Sequence, residues 1–116
     1  MLKDLDAKFS VLVRARAVWR CEACGRDFST NRSELHCSHF WSRWNHSTRF
    51  DTENCDSLCF SCHDYYGRHR NEFKAWKLDR MGQEKYDSLE RRARQVHKVN
   101  RFEVATMIAE GMDALR

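Results

Sequence analysis

The sequence predicts one α+β domain over residues 1–116, with a zinc-clamped hairpin and helix set between an N-terminal helix and C-terminal helices. Three observations lead there. Two Cys pairs, Cys21-Glu22-Ala23-Cys24 and Cys59-Phe60-Ser61-Cys62, are spaced C-x2-C-x34-C-x2-C, which suits one tetrahedral zinc. Apolar residues recur at helical steps of three and four before the first pair and beyond the second, but not between them. A chain of 116 residues also buries only a modest core, so a metal staple has a clear physical use.

The N-terminal helix is expected within residues 1–20. Leu2, Leu5, Phe9, Leu12 and Val13 lie on one face of it. Arg14, Arg16 and Arg20 make a basic C-terminal end, which the helix dipole favours. Residues 21–68 form the zinc-clamped unit. Gly25 permits the left-handed turn of a zinc knuckle. Leu35-His36-Cys37-Ser38-His39-Phe40 reads as a strand, residues 41–53 as a loop, and 54–58 as a second strand. A helix starting at Cys59 places the second Cys pair and His63 in its first turns, where amides and the dipole favour thiolates. Knuckle, hairpin and helix together make a treble-clef-like zinc unit.

Residues 69–116 read as a helical extension. Phe73, Trp76 and Met81 mark one helix, ended near Gly82. Tyr86, Leu89, Ala93 and Val96 mark the next. Asn100 is placed to cap the last, with Glu103 three positions on. Its expected buried stripe is Phe102, Ala105, Ile108, Met112 and Leu115.

Composition sets limits on function. Hydrophobic residues make up 41% and charged residues 33%, the balance of a globular chain rather than a disordered one. A net charge of +4 and a pI near 8.8 favour a polyanionic partner. No apolar run is long enough for a membrane span, and no secretory signal is visible, so a cytoplasmic location is expected. In that reducing setting the six cysteines read as metal ligands and buried thiols; Cys37 and Cys55, outside the pairs, read as small hydrophobes.

The chemistry concentrates on His39, Asn54 and His63. Fourteen residues separate the first two and eight the last two, in register with the Cys pairs. This set resembles the signature of HNH endonucleases, the ββα-metal nucleases. Cys37-Ser38-His39-Phe40, Arg49-Phe50-Asp51 and Asn54-Cys55 look like the phage NinG (Rap) recombination-endonuclease branch, over roughly residues 21–66. The resemblance implies a zinc-stabilised ββα-metal core and divalent-metal-dependent hydrolysis of DNA phosphodiesters in phage recombination or processing. Branched DNA would be among the substrates and a bacterial host cytoplasm the location. It implies His39 as general base, His63 as ligand of a magnesium, manganese, nickel or zinc ion, and Asn54 as the residue that pins the loop. An imidazole titrating near neutrality suits the base, and an amide offers both donors and an acceptor for pinning.

One position departs from the pattern. Many HNH enzymes carry Asp or His directly before the base, as a further metal ligand; here Ser38 stands there. His36, two residues earlier on the same strand face, is an alternative ligand, and His46 in the loop is another. Ser38 also keeps open a different reading, a non-catalytic zinc module that binds nucleic acid or protein. His69 and His97 read as surface or packing residues.

Basic residues bear on the partner. Arg91, Arg94 or Gln95, and Lys98 fall on one helical face, with Arg92 and Arg101 nearby, and Arg43, Arg49, Arg68 and Arg70 lie near the motif. Such a set is either a solvated helix face or a track for duplex phosphates. Trp41 and Trp44 either contact a groove or close the core. A homodimer would let two sites address two strands, but no dimer surface is legible in the sequence.

Overall fold

The computed structural model describes residues 2–116, an α+β arrangement of five α-helices and one two-stranded antiparallel sheet among those residues. Helix α1 spans Lys3–Arg16, with Asp4 and Asp6 in its first turn and Arg14 and Arg16 in its last, as the helix dipole prefers. Its buried stripe is Leu5, Phe9, Leu12 and Val13. The chain then turns through Val18 and Trp19, both at positive φ (54° and 58°). Arg14 and Arg32 stack on the Trp19 ring, at 5.1 and 4.0 Å from its centroid, and help to offset that backbone strain.

The knuckle follows at Cys21–Cys24, closed by Gly25 at φ +78° with its N–H on the Cys21 carbonyl at 2.8 Å. Strand β1 is Leu35–His39 and strand β2 is Cys55–Cys59, paired so that His36 faces Leu58, Ser38 faces Asp56 and His39 faces Cys55. The free edge of β2 is covered by the knuckle. The Glu22 N–H donates to the Ser57 carbonyl at 2.8 Å, and the Glu22 carboxylate accepts from the Ser57 N–H at 2.7 Å. This exchange satisfies backbone groups that an edge strand would otherwise leave exposed.

Helix α2, Phe60–Arg68, starts directly off β2 with Cys59 as its N-cap residue. Helix α3 (Arg70–Met81) packs beside it, and α4 (Gln83–Ala93), joined to α3 at Gly82 with φ +83°, packs against α3. On their side of the hairpin, Phe28, Leu35, Phe40, Leu58, Phe73 and Leu89 form the larger core. Phe9, Leu12, Val13, Cys55 and Ile108 form a smaller core under α1 and α5. Each such large apolar side chain contributes up to about 1.5–3 kcal/mol by leaving water.

Inside the larger half lies a buried ion pair. Lys77 on α3 donates to Asp56 on β2 at 2.7 Å, with both side chains almost fully enclosed. It ties the third helix to the back of the hairpin in a single geometry.

Helix α4 ends earlier than its apolar spacing predicts. Asn45 Nδ2 and Ser47 Oγ both donate to the Ala93 carbonyl, at 2.9 and 3.1 Å, and the chain leaves the helix there. Val96, expected on its buried face, is fully exposed. Helix α5, Arg101–Ala114, is capped as predicted, with Asn100 Oδ1 accepting from the Glu103 N–H at 3.0 Å. Its inward face differs from the expected stripe. Val104, Met107, Ile108 and Met112 pack inward, whereas Phe102 is 80% exposed and Ala105 and Leu115 face solvent. Gly111 explains the rotation, because a Cβ there would lie 2.9 Å from Leu12 Cδ1. The closest approach of α5 to α1 thus runs through a residue without a side chain, on a face that hydropathy ranks low.

Asp56→Ala is expected to cost about 3–5 kcal/mol, since it strands a buried ammonium. The double substitution Asp56→Leu with Lys77→Met should cost clearly less. Urea unfolding midpoints of the two variants test this, and equal losses would deny the pair its role.

Candidate functional site

Four sulfurs meet where the knuckle, β2 and α2 join. The Sγ atoms of Cys21, Cys24, Cys59 and Cys62 all lie within 4.8 Å of one another, and Cys24 Sγ to Cys59 Sγ is 3.9 Å. A tetrahedron with metal–sulfur bonds of about 2.3 Å has edges of about 3.8 Å, close to the Cys24–Cys59 separation, so the group could hold a structural zinc. Local chemistry agrees. Burial would raise the Cys21 thiol, yet the amides of Cys24, Cys59 and Ala23 outweigh it and bring it down to about 7. Cys24 and Cys62 are pushed upward, by burial and then by neighbouring sulfurs. One thiolate forms readily and its neighbours then resist, a conflict that a dication resolves.

The histidines sit next to this cluster. His39 ends β1, and its Nε2 lies 2.9 Å from the Arg49 carbonyl. A carbonyl only accepts, so Nε2 carries the proton and Nδ1 keeps the lone pair. Burial holds the His39 imidazole below its ordinary value, against the Arg49 carbonyl and Asp6 carboxylate, which favour the cation. His63, one turn into α2, is likewise lowered by burial and by His36 and His39. His39 and His63 line one cavity of about 430 Å³, together with Asp6, Ser10, Ser42 and Arg43.

Of the three residues weighed as partners of His63, His36 is the one that reaches it. Its Nδ1 lies 2.8 Å from His63 Nδ1, a hydrogen-bond distance between two imidazoles, and a cation held by both nitrogens at about 2.1 Å in an octahedral site would need them about 3.0 Å apart. Asp64 and Arg68 line the adjoining cavity with these two imidazoles and are paired at 2.9 Å. Ser38, the other candidate, is 1% exposed, faces Asp56 of the buried ion pair, and lines neither of the two cavities that His63 borders. His46 is exposed and lies 3.4 Å from Arg49 Nη1, so it does not join the pair either.

Asn54 is buried and uses its whole amide. Oδ1 accepts from the Trp41 N–H at 2.8 Å, while Nδ2 donates to the carbonyls of Trp41 at 3.0 Å and Thr48 at 3.1 Å. It therefore holds both ends of the loop that follows His39. Arg49 was expected among exposed phosphate contacts and is instead buried. Its guanidinium binds the Asp6 carboxylate of α1 through two contacts, at 3.0 and 2.5 Å, which fixes the carbonyl that orients His39. Asp6 went unnoticed in the sequence because nothing in its local pattern links it to a loop 43 positions away.

The remaining basic residues separate into groups. Arg43 is exposed on the cavity rim with its guanidinium 5.4 Å from the exposed Trp44 ring, and Arg68 is exposed beside His63. Arg91, Arg94 and Lys98 do not share a helical face, because α4 stops at Ala93; Arg94 pairs with Glu90 at 3.1 Å. Arg92 is bound to Asp51 and Glu53, Arg101 to Asp4, and Arg70 to the Phe40 carbonyl. Trp41 packs against the larger core, which leaves Trp44 as the outward aromatic.

The chain matches no family model, no curated protein and no solved structure. No helix is long and apolar enough to cross a membrane among the described residues.

Because structural zinc contributes folding free energy directly, Cys59→Ser should lose both metal and fold. Elemental analysis is expected to find about one zinc per parent chain and well under half of that in the variant, with loss of near-ultraviolet dichroism. A folded, zinc-loaded Cys59→Ser chain would exclude the four-sulfur site.

Proposed function

We propose that the chain is a divalent-metal-dependent endonuclease of the HNH, ββα-metal type, with a treble-clef-like zinc unit and DNA as substrate. The supporting observation is the single cavity onto which His39 and His63 both open, with His39 held so that its Nδ1 lone pair is free. The resemblance of Cys37-Ser38-His39-Phe40 and Asn54-Cys55 to the phage recombination branch favours a role in DNA recombination or processing, with branched duplexes within its range.

Each residue then has a task. His39 Nδ1 takes the proton from the water that attacks phosphorus; its lowered affinity for protons keeps it unprotonated near neutral pH. The Arg49 carbonyl, fixed by Asp6, keeps the imidazole in one tautomer and one orientation. Asn54 fixes the loop that carries Arg49. His63 and His36 would hold the cation, with Asp64 the nearest carboxylate on α2. Bound there, a divalent ion supplies Lewis-acid stabilisation of charge on the phosphoryl and leaving oxygens. Arg43 and Arg68, exposed on either side of His63, are placed for phosphates, and Trp44 for a sugar or base edge.

Ser38 had kept a non-catalytic reading open. His36 beside His63 supports a ligand set that does not require Ser38.

Supercoiled plasmid incubated with magnesium, manganese, nickel or no metal tests the proposal. His39→Ala should cut at least about 100-fold more slowly than the parent, with zinc content and fold unchanged. His36→Ala should weaken the metal response, and Ser38→Ala should not. A parent chain that shifts DNA but nicks none of it with any of these ions would favour the binding module instead.

A further inference from the structure

A second sulfur-containing cluster lies on the face of the hairpin opposite α3. Donor atoms of Cys37, Cys55 and His39 all fall within 4.8 Å of one another, the same closeness found among the four zinc-unit sulfurs. The alternation of β1 and β2 puts all three side chains on one face. Cys37 and His39 border the 430 Å³ cavity, while Cys55 lies behind them, fully buried against Phe9 and Leu12.

The register argues against a simple disulfide. Cys37 pairs with Ser57, and Cys55 pairs with His39, so the two cysteines are diagonal neighbours. Diagonal positions lie about 7–8 Å apart. That exceeds the Cα separation of about 4.4–6.8 Å that a disulfide bridges without backbone movement. A cation bridges such a pair readily, because two metal–sulfur bonds of about 2.3 Å reach further than one sulfur–sulfur bond of about 2 Å.

We propose that Cys37, Cys55 and His39 form a second metal site, for a thiophilic d10 cation such as zinc or cadmium, and that its occupation competes with hydrolysis. Two thiolates and an imidazole are the donor set that soft and borderline ions prefer, and magnesium does not. Binding releases the two thiol protons to solvent. Cys37 and His39 border the cavity, so water there would supply the remaining donor. His39 Nε2–H is engaged by the Arg49 carbonyl, so Nδ1 is the nitrogen that binds the cation. It is also the nitrogen assigned to the attacking water. The competition rests on the nuclease reading; the cation site itself does not.

Cadmium–thiolate charge-transfer absorption tests the site independently of cleavage. The reduced full-length chain, titrated to saturation with cadmium, should reach about 1.5 times the absorbance of the Cys37→Ser/Cys55→Ala double variant, six bound thiolates against four. Cys37→Ser alone, at a half-buried position, guards against a folding defect and should also fall short of the parent. Equal plateaus in parent and double variant would overturn the site. In the plasmid assay with magnesium, one added equivalent of cadmium beyond the zinc unit should suppress parent cleavage about tenfold or more and leave Cys37→Ser largely resistant. Equal suppression of both, or none of either, would overturn the competition. If the thiolate count is met but the chain cuts no DNA with any hard cation, the nuclease reading fails and the cation site stands.

Discussion

Cys59 carries three structural constraints at once. It is the last residue of β2, the N-cap residue of α2 and a member of the four-sulfur group. The angle at which the helix leaves the strand, and hence where His63 points, is set at that residue. Cys62 repeats the tie one helical turn later, and Cys21 and Cys24 carry it to the knuckle. Glu22, between those two, closes the edge of β2 at Ser57 and also binds Arg80 of α3 at 2.6 Å. One cluster thus joins strand, helix and knuckle, in a domain whose two apolar cores are each too small to do so alone.

The histidine side is built by a different device, buried polar groups that satisfy one another. Asn54 places three hydrogen bonds across the loop after β1. Arg49 is enclosed with Asp6 on α1 accepting from two of its three guanidinium nitrogens and His46 near the third. Such a network is costly if any member is lost, since an unpaired buried amide or guanidinium keeps its full desolvation penalty. It is also stiff, and His39 inherits that stiffness through one carbonyl. The loop is irregular in backbone but anchored at both ends, including to the α4 terminus through Asn45 and Ser47.

What the sequence makes legible follows from range. The Cys spacing, the Gly25 turn, the two strands and the Asn100 cap depend on neighbours a few residues apart, and the structure has them where the pattern puts them. The end of α4 and the inward face of α5 depend on groups far away in sequence, Asn45 with Ser47 in one case and Leu12 opposite Gly111 in the other. Hydropathy carries no record of either. Arg49 is instructive, because an Arg beside the motif in a basic chain reads as a phosphate contact until its partner on α1 is seen. His36 lies between these extremes: strand alternation puts it on the face of Ser38, and only the placement of α2 brings His63 to it.

The donor sets divide by softness, and this division bears on how one small domain can handle several cations. The four-sulfur group is closed and suits zinc held for folding. The His36–His63 pair with Asp64 nearby offers nitrogen and oxygen, donors that harder ions accept. Cys37, Cys55 and His39 are intermediate, two sulfurs and one nitrogen gathered together, with Cys37 and His39 bordering the cavity and Cys55 buried behind them. Softness would keep magnesium away from the sulfurs, but it would not keep zinc from the histidines. A thiophilic ion is therefore the one kind of cation that can reach all three, and His39, through which the hairpin would act on water, is the residue it would take first from the chemistry.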